Sequence, residues 1–112
     1  MDQISPRPPE IDVQTLSRMA QDGDDHVILD IREPWEVGVC AFDGSLHIPM
    51  GQIPYSLPHI PRDKDLIVIC HHGVRSWHAM NWLRGNGFDR AISLRGGIDA
   101  WAKTIDPAMA TY

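Results

Sequence analysis

The residues best suited to chemistry lie in one short stretch, Cys70-His71-His72-Gly73-Val74-Arg75-Ser76. It follows Leu66-Ile67-Val68-Ile69, an unbroken apolar run of the kind a strand buried on both faces requires. A helical pattern follows it. In an open α/β sheet, ligands bind outside the carboxyl ends of the strands. A helix starting there adds unpaired N–H groups and a positive dipole end. A chain curling from Cys70 to Arg75 would turn several backbone N–H groups into one small bowl. Gly73 permits the left-handed backbone such a curl needs, and Arg75 brings a permanent charge to the rim. Each of these favours the thiolate of Cys70, its reactive form. The spacing therefore predicts Cys70 as a nucleophile over an anion cradle. A strand-end cysteine acting as a small, inert hydrophobe would explain Cys70 alone. It would leave Gly73 and Arg75 without a reason.

Other side chains carry weaker signals. His71, His72 and His78 stand near Cys70, but their spacing fits no zinc pattern and no second cysteine pair exists. No metal and no cofactor are expected; the histidines line the cradle. His47 and His59 have no partner pattern. Trp77 either flanks the mouth or packs, and Trp101 packs the last helix. Cys40 is either a small buried side chain or a thiol that resolves an adduct on Cys70.

The elements that must position this stretch can be read along the chain. Pro6, Pro8 and Pro9 make residues 1–10 a lead-in without regular structure. Asp12 is a good N-cap for a helix over 13–21, stopped by Asp22-Gly23-Asp24-Asp25. Strands are expected at 27–31, 46–48, 66–70 and 91–94, and helices at 76–86 and 98–104. Residues 33–36 form a loop or short helix, and a helical turn is expected at 53–57. Strands alternating with helices predict an α/β domain over 11–104, with a small, mostly parallel sheet and helices on both faces. Residues 105–112 read as a tail.

Composition excludes several classes. The chain has 112 residues, 43% of them hydrophobic and 22% charged, which suits one packed domain. Its 10 Lys+Arg against 15 Asp+Glu give −5, the wrong sign for a non-specific nucleic-acid binder. No apolar run approaches a membrane span, and Met1-Asp2-Gln3-Ile4-Ser5-Pro6 does not read as a signal peptide. Two cysteines are too few for a disulfide framework, so a cytoplasmic protein with reduced thiols is expected. Residues 1–69 hold 12 acids and 5 bases, whereas residues 70–112 hold 3 acids and 5 bases. The second part offers an anion the better surroundings.

Four segments in order resemble the single-domain rhodanese family of sulfurtransferases. Leu29-Asp30-Ile31-Arg32, then Glu36, is similar to the family's Asp-Val-Arg marker followed by Glu. Gly44-Ser45-Leu46-His47-Ile48-Pro49 resembles its Gly-Ala-x-x-Ile-Pro segment. Cys70-x-x-Gly73-x-Arg75-Ser76 looks like its active-site loop, and Leu94-Arg95-Gly96-Gly97-Ile98-Asp99-Ala100-Trp101 like its closing motif. The likeness covers residues 11–103. One departure is that Cys40, Ala41, Phe42 and Asp43 stand where the family has Gly-His-Ile-Pro.

The resemblance implies a three-layer rhodanese-like fold and a structural role for the pair Asp30 and Arg32. It also implies a reaction. The Cys70 thiolate takes a sulfane sulfur from thiosulfate or a persulfide donor and passes it to cyanide, a thiol or a protein acceptor, with His71, His72, Gly73, Val74, Arg75 and Ser76 as the substrate-binding residues. No nucleic acid or membrane takes part. Four residues separate Cys70 from Arg75. Cysteine-dependent phosphatases have a loop one residue longer, which encircles a phosphate. The alternatives are a rhodanese-like sulfur carrier or interaction module with little turnover, and a phosphatase or arsenate reductase.

Overall fold

The apolar run before Cys70 becomes the centre of a parallel five-stranded sheet. The structure is a computed structural model, and it describes residues 7–112. The strands are β1 (Glu10–Ile11), β2 (His26–Asp30), β3 (Leu46–His47), β4 (Asp65–Ile69) and β5 (Ala91–Leu94). They lie in the order β1-β5-β4-β2-β3, every pairing parallel. Helices α1 (Val13–Asp22), α2 (Pro34–Val39), α3 (Val74–Gly85) and α4 (Gly97–Thr104) connect them, with two 3-10 turns at Met50–Tyr55 and Leu57–His59.

Alternation along β4 sorts the core into two layers. Leu66, Val68 and Cys70 pack with Ala79, Met80 and Leu83 of α3 and with Ile53 of the first 3-10 turn. Ile67 and Ile69 face the other way, onto Val13 and Leu16 of α1 and Ile98 of α4. Side chains two apart on a strand share a face, so Cys70 leaves the sheet on the α3 side. This is the three-layer α/β architecture the sequence predicts.

The boundaries shift where local chemistry is stronger than periodicity. α3 begins at Val74, two residues before the first residue of the expected helix, because Gly73 takes φ +100° and serves as its N-cap. α1 runs one residue past its expected end, to Asp22, where Gly23 caps it at φ +72°. The expected lead-in differs at its end. Residues 1–6 lie outside the described residues, but Glu10 and Ile11 pair with Ser93 and Leu94 of β5. A two-residue strand is too short to show alternation. Beyond α4 the chain folds back: Ile105, Met109 and Tyr112 pack on the α1–α4 layer. Among the described residues, no helix is long and apolar enough to cross a membrane.

Candidate active site

Cys70 stands one residue past β4, at the carboxyl edge of the sheet, and its side chain is buried. The sulfur accepts the backbone N–H groups of Gly73 at 3.1 Å and Ser76 at 3.3 Å. Its thiol reaches the Ser76 hydroxyl at 3.5 Å, and that hydroxyl lies 2.7 Å from the hydroxyl of Ser93 on β5. The carbonyls of Cys70 and His71 point away, accepting the N–H groups of Ile98 and Asp99 in the first turn of α4. The N–H groups of His71, His72, Val74 and Arg75 have no protein acceptor among the described residues. Donors of this kind around a buried sulfur form an anion-binding nest.

Glycines make the close packing feasible. A Cβ on Gly97 would collide with the carbonyls of Cys70 and His71, and one on Gly73 would come within 3.1 Å of the Gly96 nitrogen. The Gly96-Gly97 turn thus lets α4 butt against the cradle from behind.

Arg75 is not a bare cation. Its terminal nitrogens donate to both oxygens of Glu36, each at 2.8 Å, from a side chain 38% exposed onto a carboxylate 5% exposed. Such a fork is the geometry guanidinium favours, and it uses two of five N–H groups. The Arg75 hydrogen bonds hold the Glu36 carboxyl down to about 2, against burial. Glu36 in turn raises the Arg75 pKa. Glu36 also completes a capping box with Glu33 at the start of α2.

Asp30 and Arg32 form a fully buried ion pair at 2.7 Å, with further Arg32 donors on the Cys40 carbonyl and the Tyr112 hydroxyl. Burial works against the charge on Arg32, but Asp30 and Tyr112 more than offset it and raise its pKa. His47 bonds the Arg32 carbonyl at 2.7 Å.

His71 is sandwiched. Its ring lies 3.9 Å from that of His72 and 3.9 Å from that of Tyr112. Burial, then the neighbouring His72, lowers its pKa, so it is neutral at pH 7. His71, His72 and Asp99 bring three potential metal ligands together. His71 Nε2 and His72 Nδ1 lie 4.0 Å and 3.7 Å from the two Asp99 oxygens, the rings are tilted at 31°, and Asp99 is also bonded to Lys103 at 3.0 Å.

The remaining expected residues fall as follows. Trp77, with Gly73, Val74 and His78, lines a hollow beside the cradle, and Trp101 sits edge-on to Phe42. Cys40 and Phe42, in the segment that departs from the family pattern, are buried in the α1–α4 layer. Both thiols are free. Sequence reasoning missed Ser93, Tyr112 and the function of Glu36. Only Glu36 had a signal, as part of a marker.

A family model described as a rhodanese-like domain matches residues 12–104. A sulfurtransferase of Allochromatium vinosum is 39% identical over 101 residues, covering 90% of this chain and 94% of that protein. A rhodanese-like/PpiC domain-containing protein of Arabidopsis thaliana is 33% identical, covering 97% of this chain but 40% of that protein. The crystal structure of a rhodanese-related protein from Thermoplasma volcanium superposes with a TM-score of 0.78 at 29% identity, covering 86% of this chain and 92% of that one.

Proposed function

The chain belongs to the rhodanese-like family, and on that premise we propose that it moves a sulfane sulfur through a persulfide on Cys70. The observation that carries this reading is the sulfur of Cys70 held by the N–H groups of Gly73 and Ser76, in a loop whose other N–H groups have no protein acceptor among the described residues.

In the first step the Cys70 thiolate attacks the outer sulfur of a donor such as thiosulfate. The new S–S bond forms as the donor's S–S bond breaks, and sulfite leaves with the electron pair. The terminal sulfur of the persulfide is anionic, and the N–H groups of residues 71–76 face it as an oxyanion hole faces oxygen. In the second step cyanide or a thiol attacks that sulfur and regenerates the thiolate. This is covalent catalysis in two half-reactions. Arg75 is paired with Glu36, so the stabilisation of negative sulfur falls mainly to backbone dipoles. The guanidinium edge left at the rim meets the anionic donor. A persulfide donor uses the same steps with a thiolate leaving. The tight loop suits one sulfur rather than a tetrahedral phosphate, and Asp30–Arg32 is the scaffold beneath. The charge balance and reduced thiols fit a cytoplasmic setting with small-molecule donors. A protein acceptor fits the same second step.

The test is thiocyanate formation from cyanide, with thiosulfate and with an alkyl persulfide as donors, beside hydrolysis of an aryl phosphate. Thiocyanate should form with at least one donor and vanish in Cys70→Ser, with negligible phosphate release. Phosphate-ester turnover rivalling sulfur transfer would overturn the assignment. A persulfide that forms but is never discharged would make the protein a carrier.

A further inference from the structure

One side chain at the site comes from outside the matched domain. The family match ends at residue 104, and Tyr112 lies eight residues further on. The intervening segment is held in place: the N–H groups of Ile105 and Asp106 bond the Trp101 carbonyl, that of Met109 bonds Asp106, and Ile105 and Met109 pack on the α1–α4 layer. Tyr112 is thereby carried back to the cradle.

What it touches there is specific. Its hydroxyl donates to Glu36 Oε2 at 2.7 Å and accepts from Arg32 Nη1 at 3.1 Å. Glu36 Oε2 is the same oxygen that holds Arg75 Nη2. A single phenol thus bridges the buried Asp30–Arg32 pair to the Glu36–Arg75 pair at the rim. Its ring lies on His71, 3.9 Å away at an interplanar angle of 16°, and meets Trp35 edge-on at 5.4 Å. His71 immediately follows the nucleophile, and its carbonyl is fixed from behind by α4. Between α4 and the Tyr112 ring, the first loop residue has little freedom.

We infer that Tyr112 is a positioning residue of the sulfur-transfer site: its hydroxyl sets the Glu36–Arg75 fork, and its ring sets His71 and the start of the cradle. This rests on the sulfur-transfer reading, and it assigns the segment after α4 a part in the reaction. Burial, reinforced by the Glu36 carboxylate, pushes the phenol up to about 12, so it remains a hydrogen-bond donor throughout the working range. The two functions are separable. The hydroxyl acts on the rim, where the donor arrives, and the ring acts on the loop, where the sulfur is transferred.

The experiment compares the parent with Tyr112→Phe and Tyr112→Ala, each checked for folding by thermal melting. Two readouts are used: KM and kcat for thiosulfate–cyanide sulfur transfer, and the rate of Cys70 alkylation by iodoacetamide, located by peptide mass. Losing a charge-assisted hydrogen bond corresponds to about tenfold, so Tyr112→Phe should raise the donor KM by about three- to tenfold with kcat near the parent. Tyr112→Ala should lower kcat as well and change the alkylation rate at least about threefold, since the ring no longer fixes the loop. Folded variants with parental KM, kcat and alkylation rates would overturn the inference. So would losses that follow only the unfolded fraction. Alkylation reads the cradle whether or not sulfur moves. A parent that transfers no sulfur, with alkylation still changed in Tyr112→Ala, would discard the function and keep Tyr112 as a positioning residue.

Discussion

Replacing Glu36 with Gln keeps the side chain's shape and removes its charge. The carboxylate is the shared acceptor of Arg75 and Tyr112, and Arg75 holds its pKa down to about 2 from an ordinary value of 4.5. A carboxyl so displaced contributes about 3 kcal/mol of stability at neutral pH. Arg75 is over a third exposed, so solvent screening reduces this to about 2 kcal/mol. For a domain of this size that is roughly 8 °C in melting temperature at pH 7. The sign with pH follows from the direction of the displacement. The folded pKa is below the unfolded one, so the contribution is complete above about 4.5 and is lost as pH falls through about 2. Urea denaturation of parent and Glu36→Gln at pH 7, 5 and 3.5 measures the difference. The gap should stay near its full size from pH 7 to 5 and be smaller by roughly half at pH 3.5. A gap that stays constant to pH 3.5, or widens, would refute the claim that the ionised carboxylate is what the pair supplies.

Two further substitutions probe the cradle and its rim. Arg75→Ala should lose most sulfur transfer in a folded protein, and Arg75→Lys should recover only part, because a point charge cannot span both oxygens of Glu36; steady-state kinetics with thiosulfate decides. Gly73→Ala forces a side chain to φ +100° within 3.2 Å of the Leu94 carbonyl. It should cost about 1–3 kcal/mol in urea denaturation and move a donor off the Cys70 sulfur, so activity should fall more than stability alone explains.

The loop from Cys70 to Ser76 was legible because its residues are contiguous and lie between two strong patterns, a continuous apolar strand and a helix. The sheet was legible for the same reason at β2, β4 and β5. Other features depend on contacts that no local pattern encodes. Glu36 and Arg75 are 39 positions apart, and Tyr112 and Glu36 are 76 apart. A tail of mixed composition gives no sign that its last aromatic ring returns to the site. β1 is too short for alternation to register, and Ser93 looked like an ordinary strand residue until Ser76 was placed against it. The fork also changes the electrostatic reading. An arginine in sequence is a positive charge, whereas this arginine is matched by the Glu36 carboxylate.

The central claim is that Cys70 carries the sulfur, and intact mass tests it most directly. Reduced protein exposed to thiosulfate and then desalted should gain one sulfur atom, about 32 Da, as a covalent intermediate requires. The adduct should map to the peptide containing Cys70, disappear on adding cyanide, and never form in Cys70→Ser. Sulfur loading that persists in Cys70→Ser, or an adduct that maps to Cys40, would contradict the account.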